Sequence, residues 1–570
     1  MEEDILKSIQ DKLRKSTPAN KRQDAEYALC GTLATRDCEK NLPYYVVKYD
    51  GGNRVRFIAR NVSREFLSDS FLALIFAVRE IETLVNPEYA LSIDFGVLLD
   101  GTVQIFDIIE LPGPGSEKLA EMDRDFLDTK AFAKCNYLDT NHVLSDMAYW
   151  GTAEVVGTNP RPLDYSLYRA MIADRVWSRA ICPLGYNLVH ECMMQRIGNK
   201  PYDSVDRTML ALTPSEISGH TVYKLHSYYH SLLRSNSNLH GNIEHTVLMS
   251  CYNFSTRDRM ERLRVFGFSD EEIKEISDAL MKITVNSVRN QDEWNERDAE
   301  EIGHLTELTD RISAENPLEE NNIMRLYRNV GELLNTVREF GTPPYARQSR
   351  FASIARDICE SLVKQGYVEE DNPYGLPGGA PTIEKQLGGY IQAVAEGKMT
   401  QDYFMTRFGH LRKDNFNIRS ASFRELDFKE LESRGMKALS KPYEPFGPEI
   451  FEQAVKDAGM PISAEQLCNF VKQAPKKNLE YKYEFSKALS LMLDCFVSIG
   501  RIMGIAREDM SYLEISDLLD YHSRDSYIQI IGERRNLYHA YSRLVLPEII
   551  FNVGDIDNID FECTAESREA

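Results

Sequence analysis

The sequence predicts an α+β fold in which a small mixed head is followed by a large, mostly α-helical body. Three observations carry this expectation. Short apolar, β-leaning runs are confined to the stretch before Leu111-Pro112-Gly113-Pro114-Gly115. That Pro/Gly cluster reads as a linker. Beyond it, apolar residues recur at helical spacing almost to the C-terminus.

In the head, Glu3 to Leu13 reads as a short amphipathic helix. Ala28 to Ala34 and Tyr44 to Tyr49 form a strand pair around the polar Thr35 to Asn41, and Arg54 to Arg60 continues the strand pattern. Phe66 to Leu84 is a helix with Phe71, Leu72, Ile75, Phe76, Val78 and Ile81 on a broad buried face. Ser92 to Ile109 reads as two strands joined at Asp100-Gly101, a hairpin signal because a type I′ turn needs positive φ at both central positions. Counting outward from that turn sets Asp94 opposite Asp107. Carboxylates paired across two strands lie about 5 Å apart and repel. A bound magnesium would turn that cost into a site; an edge hairpin with two solvated aspartates has the same spacing.

In the body, Tyr165 to Ala180 is a helix after Asn159-Pro160-Arg161-Pro162, and Met209 to Leu233 holds one or two more. Val247 to Phe266 ends at Gly267, and Ser269 with Glu272 makes a capping box for the next helix. Gln291 to Asn321 is acidic, a solvated helix face with a loop around Pro317. Met324 to Phe340 and Arg350 to Gln365 are helices separated by Gly341-Thr342-Pro343-Pro344. Gly375 to Thr382 is a loop without a phosphate-cradle pattern. Ile383 to Ala395, Pro448 to Ala458, Glu465 to Val471, Phe485 to Gly504 and Ser526 to Val545 are helical again.

Composition narrows the function classes. With 67 Lys and Arg against 88 Asp and Glu the net charge is −21, a field that repels nucleic acid in the absence of a basic patch, and no patch is visible. Phe485 to Ile505 is the most apolar window, but Lys487, Asp494 and Arg501 interrupt it and its apolar residues recur at helical spacing, so it is core rather than a membrane span. The N-terminus lacks the apolar region of a secretory signal. Ten cysteines without a C-x-x-C pair argue against a zinc site and a disulfide framework, and a reducing cytoplasm is the expected compartment.

Three further places gather chemistry. Arg36, in Thr35-Arg36-Asp37 after a strand, could meet a phosphate bidentately. His240 and Glu244 are spaced i, i+4 on one face of a helix, the spacing of a shared site and also of an ordinary surface pair. Gly409 is expected to cap the helix Gln401 to Phe408 and leave His410 and Arg412 displayed on a loop, where functional residues gather; a His beside an Arg is also a common structural hydrogen-bonding pair. No nucleophile elbow, H-E-x-x-H or dinucleotide fingerprint occurs.

Six segments in one order resemble phosphoenolpyruvate-synthase-like (pyruvate phosphate dikinase-like) phosphotransferases, within them the L-glutamine-kinase type. They are GTLATRDCEKNLPYYVVKYD (31–50), the hairpin SIDFGVLLDGTVQIFDII (92–109), WGTAEVVGTNPRPLDYSLYRAMIAD (150–174), NLHGNIEH (238–245), GTPPYARQSRFASIAR (341–356) and GHLRKDNFNI (409–418). The resemblance implies the C-terminal part of an ATP-grasp domain in residues 1–112, a linker and first acceptor part in 113–260 and a helical body in 261–570. It implies ATP and magnesium as cofactors, with Asp94 and Asp107 at the positions of the family's metal ligands and Arg36 near the nucleotide. His410, Arg412, His240 and Glu244 are the implied catalytic residues, and Arg161 and Arg169 the implied acceptor-binding ones. The sequence departs from the family pattern at Ile109, Gly241-Asn242 and Lys413-Asp414. By the resemblance, the lobe that grips the triphosphate and the swivelling phosphohistidine domain fall outside the matched segments, so separate chains are the expected suppliers. The implied function is an acceptor-binding component of an ATP-dependent phosphotransferase acting on a small molecule in surface-polysaccharide or natural-product synthesis. A non-catalytic binding or scaffold protein on the same fold is the alternative.

Overall fold

The computed structural model describes residues 2–16, 26–39, 42–60, 62, 67–85, 87, 89–113, 116–134, 142–368, 383–433, 447–557 and 560–564. The fold is mixed α+β, predominantly helical, with two small antiparallel sheets. Two compact units divide the chain: Met1–Val143 with Leu537–Ala570, and Leu144–Asn536. The expected loop at Gly375 to Thr382 lies outside the described residues.

The first unit is built on a sheet of β1 (Tyr27–Ala34), β2 (Tyr44–Tyr49), β3 (Arg54–Ala59), β4 (Leu91–Leu98) and β5 (Val103–Glu110), with a last strand at Asp560–Thr564. The spatial order is Asp560–Thr564, β3, β2, β1, β4, β5, and every described pairing is antiparallel. Helix α1 (Glu2–Ser16) contributes Leu6, Ile9 and Leu13 to the core. Helix α2 (Asp69–Val85) buries Phe71, Leu74, Ile75 and Val78 in it, at the i, i+3, i+4, i+7 spacing of one helix face. Phe76, expected on that face, is 49% exposed because it lies one residue round the helix from Ile75. On the other side of the sheet, Phe126 of α3 (Ser116–Lys134) meets Tyr44 edge-on at 5.9 Å.

The β4–β5 turn differs from the expected one. Gly101 has φ +84° and Asp100 is not among the positive-φ residues. The amide of Gly101 bonds the Leu98 carbonyl at 3.0 Å and that of Leu98 bonds Thr102 at 2.9 Å, so the loop has three residues, with glycine in the left-handed position. Val97 therefore faces Val103, one place away from the expected register. A bulge at Phe106 then absorbs the offset, and Asp94 faces Asp107 after all. Gly96 makes the bulge possible. A Cβ there would lie 2.6 Å from the Tyr27 ring and 3.1 Å from that of Phe106, and the two rings pack edge-on over the glycine.

The second unit is helical, with three short strands, β6 (Leu144–Ser145), β7 (Met194–Ile197) and β8 (Lys200–Ser204), of which β8 pairs with both others. Its elements used below are α4 (Pro162–Tyr168), α5 (Gln291–Ala314), α6 (Ile323–Thr336), α7 (Thr342–Lys364), α8 (Gln401–Phe408) and α9 (Ala464–Met503). Helix α9 is the spine. It runs unbroken through Pro475, whose missing N–H leaves the Val471 carbonyl without its helical donor, where two helices were expected. Its window Phe485–Gly500 is almost wholly buried. Among the described residues no helix is long and apolar enough to cross a membrane.

Pro343 and Pro344 do not separate two helices as expected. They occupy the first turn of α7, where a proline's missing N–H costs nothing, and a π-helical turn at Val337–Gly341 joins α6 directly to α7. A second π turn, Arg169–Ala173, follows α4, and Arg175 at φ +66° then breaks the single helix expected over Tyr165 to Ala180. The two π turns meet: Arg338 donates to the Ala170 carbonyl at 2.6 Å and Thr342 to that of Met171 at 2.7 Å. The expected stop at Gly267, φ +103°, and the Ser269/Glu272 capping box are both present.

Candidate functional site

In the sheet unit, the Asp94 and Asp107 side chains are half-buried on facing residues. Thr32, across from Asp94 on β1, donates to its Oδ1 at 3.1 Å, and the Ile108 amide donates to Asp107 Oδ1 at 3.0 Å. Arg36 is buried against α3, with Nη2 2.6 Å from Asp123. Its guanidinium is therefore turned to a carboxylate of its own unit.

In the helical unit, NLHGNIEH and GTPPYARQSR meet. Arg350 donates to Glu244 and, at 3.1 Å, to Ser250 Oγ, and its guanidinium lies 5.5 Å from the Tyr186 ring. Burial raises the Glu244 pKa and the cations of Arg350 and His245 lower it, the balance falling below the ordinary value. Next in line, His245 Nδ1 is 2.5 Å from Asp357. His240 does not share Glu244's partner: its Nδ1 is 3.0 Å from Ser145 Oγ and 3.8 Å from Asp146, which also pairs with Lys200 at 2.8 Å. Ser145 and Asp146 reach the same ring nitrogen, so this is not a relay of the Ser-His-Asp kind, which needs one partner on each nitrogen. Ser145 also pairs in register with Asp203 on β8. Asp203 is fully buried, and burial pushes its carboxyl up to about 7 against the pull of hydrogen bonds from Thr152 and two backbone amides.

The segments NPRPLDYSLY and GHLRKDNFNI also meet. Tyr168 packs edge-on against Phe416 at 5.1 Å. Asp164 is buried, its carboxyl pushed up to about 7 by burial and drawn back by Arg419 and Arg161. Arg161 precedes α4, donates to Glu508 at 2.8 Å and to Tyr512, and covers the Tyr512 ring. Arg169 is exposed on its π turn. Arg412 and His410, expected on a displayed loop, are both buried. Arg412 binds Asp494, Ser490 and the Ser420 carbonyl, a structural ion pair in the core. Gly409 keeps a right-handed φ of −59°, and its lack of a side chain admits Arg424, whose Cγ lies 2.6 Å from where a Cβ would stand.

His410 lines a cleft of about 1490 Å³ between α5, α8 and α9. Its Nε2 is 3.1 Å from Ser486 Oγ and its ring meets Tyr483 edge-on at 4.9 Å. Burial, with the nearby cations of Lys487, Arg424 and Arg412, brings its pKa down to about 3, so the imidazole is neutral at pH 7. Also lining the cleft, Lys487 pairs with Glu484 at 2.9 Å and Lys477 with Glu480 at 2.8 Å.

Sequence reasoning passed over Arg350, Asp203 and the cleft's cations. Arg350 had a signal: it stands four residues from Ala346 and from Ile354, both buried, so it falls on the apolar face of α7. Asp203 and the cleft cations had none, because long-range packing brings them to their places. No protein-family model matches the chain, and no curated protein matches it.

Proposed function

We propose that this chain is the acceptor-binding component of an ATP-dependent phosphotransferase of the phosphoenolpyruvate-synthase-like, glutamine-kinase type, with its sheet unit the C-terminal part of an ATP-grasp domain. The observation that carries the reading is the opposition of Asp94 and Asp107, restored by the Phe106 bulge where a regular hairpin on this turn would have lost it. Two hard carboxylate oxygens on facing strands fit magnesium, and Asp94 and Asp107 would hold it. Magnesium there would neutralise charge on transferring phosphates. Arg36 fits a phosphate poorly, being spent on Asp123, so triphosphate contacts come from other domains or chains, as does the phosphohistidine carrier. The acceptor would lie in the cleft of the helical unit, beside neutral His410. Mixing the protein with labelled ATP, magnesium, glutamine and proteins supplying those two domains should yield a phosphorylated acceptor, and Asp94→Asn with Asp107→Asn should abolish the yield. No transfer with any such partner would overturn the reading.

One observation favours the second reading, a binding or scaffold protein without catalysis. Arg36, Arg161, Arg412 and Glu244 are all engaged inside their own units. On that reading the Asp94/Asp107 double variant keeps full cellular function.

A further inference from the structure

The cleft between α5, α8 and α9 has walls of two kinds. Ile302, Leu479 and Tyr483, half-buried, give it apolar and aromatic surface, with buried Phe408 and Tyr481 behind them. Its charged lining is unbalanced. Lys477 and Lys487 are neutralised by Glu480 and Glu484. Arg407, Arg424 and Lys476 also line it, all exposed, and among the described residues none of the three has a carboxylate partner. Arg407 instead lies 5.2 Å from the Tyr390 ring, and Arg424 reaches only Ser313 Oγ at 3.4 Å. Against these three cations stands one carboxylate outside a pair, Asp310. A local excess of positive charge in a chain of net charge −21 runs against the protein's own average, and a concave, low-dielectric wall focuses it. The volume exceeds the ~300–1,000 Å³ of ordinary small-molecule sites, so the cleft has room for an apolar body beside an anionic group.

We propose that this cleft binds an amphipathic organic anion, its phosphate, sulfonate or carboxylate held at the mouth by Arg407, Arg424 and Lys476 and its apolar body laid on Ile302, Leu479 and Tyr483. Guanidinium groups suit such an anion because their planar forks donate two parallel hydrogen bonds to it. The inference rests on the phosphotransferase reading only in so far as the occupant is called the acceptor. The anion site itself stands on the geometry of the cleft.

The test uses the full chain without ATP or magnesium, so that its failure is read separately from failure of phosphoryl transfer. Anilinonaphthalene sulfonate is the anionic probe and its uncharged parent, phenylnaphthylamine, the control, both followed by fluorescence titration at low salt. Saturable sulfonate binding is expected to weaken about tenfold or more in Arg407→Gln with Arg424→Gln, and to a lesser degree in Lys476→Gln, while the parent compound binds wild type and variants alike. All three side chains are exposed, so the variants keep the wild-type thermal unfolding profile. Equal binding of the two probes to wild type, or sulfonate affinity unchanged in the double variant, would overturn the proposal.

Discussion

In the sheet unit Asp94 and Asp107 face one another with a hydroxyl and an amide for donors, whereas in the helical unit Glu244, Asp298 and Asp494 each meet an arginine. The difference is one of solvation. A carboxylate taken wholly out of water must bring its own counter-ion or keep its proton, and for these three the helical unit supplies Arg350, Arg347 and Arg412 from within. A half-buried carboxylate keeps enough water to tolerate a like-charged neighbour, at a modest cost that an outside cation can reverse. Charges that look functional in a sequence therefore divide by depth: the deep ones of the helical unit complete the fold, and the half-buried Asp94 and Asp107 keep contact with water.

The largest expected effect tests the deep pairs. Glu244→Gln strands the Arg350 guanidinium, whose side chain is 1% exposed, and should lower the stability of the helical unit by about 3–5 kcal/mol in urea unfolding. Replacing the pair together, Glu244→Leu with Arg350→Met, should recover most of that loss, because the penalty lies in the unpaired charge. A double variant as unstable as the single one would show that Glu244 and Arg350 stabilise through other contacts, and the comparison by depth would fail.

Asp203 gives an intermediate effect. It is a deep carboxylate without an ion-pair partner among the described residues, and burial sets its folded pKa at about 7, above the ~3.9 of an unfolded aspartate. The folded protein then holds the proton over a range where the unfolded chain has released it. Stability contributed by Asp203 is full below about pH 4 and is lost as pH rises toward 7, by an amount of up to roughly 4 kcal/mol. His410 works in the opposite sense: its folded pKa of about 3 lies below the ordinary value, so its contribution is lost as pH falls from about 6.5. Unfolding of wild type and Asp203→Asn compared between pH 4 and pH 7 should show the gap changing steadily in the variant's favour. A pH-independent gap would mean that the carboxyl is ionised in the fold.

How much of this was legible in the sequence follows the same division. Strands β1 to β5 and helix α2 were readable because local alternation and spacing specify them, and so was the opposition of Asp94 and Asp107. The path to that opposition was not: the turn took three residues, and Phe106 bulged beside the Tyr27 ring that packs over Gly96. In the helical unit Pro343 and Pro344 were misread as a break, and the single helix α9 was expected as two, because a proline at a first turn and the continuity of a well-packed spine are decided by tertiary contacts. His410 and Arg412 were expected together on a displayed loop; their burial, and the separation of His410 in a cleft wall from Arg412 in an ion pair, depend on Asp494 and Ser486 of α9, far along the chain.

The smallest effect bears most directly on the shallow carboxylates. With magnesium absent, Asp94→Asn should remove a like-charge pair and stabilise the sheet unit by about 0.2–1 kcal/mol, although the Thr32 hydroxyl loses a charged acceptor and offsets part of that gain. Adding magnesium reverses the ranking: the wild type gains stability with the logarithm of cation concentration once the site fills, and the variant, left with one carboxylate, does not. The crossing of the two melting curves as magnesium is raised is the expected signature, and calcium, which accepts looser oxygen geometry, should cross them as well. If magnesium shifts both proteins equally, Asp94 and Asp107 are a solvated edge pair, and the contrast between shallow and deep carboxylates reflects hydration alone.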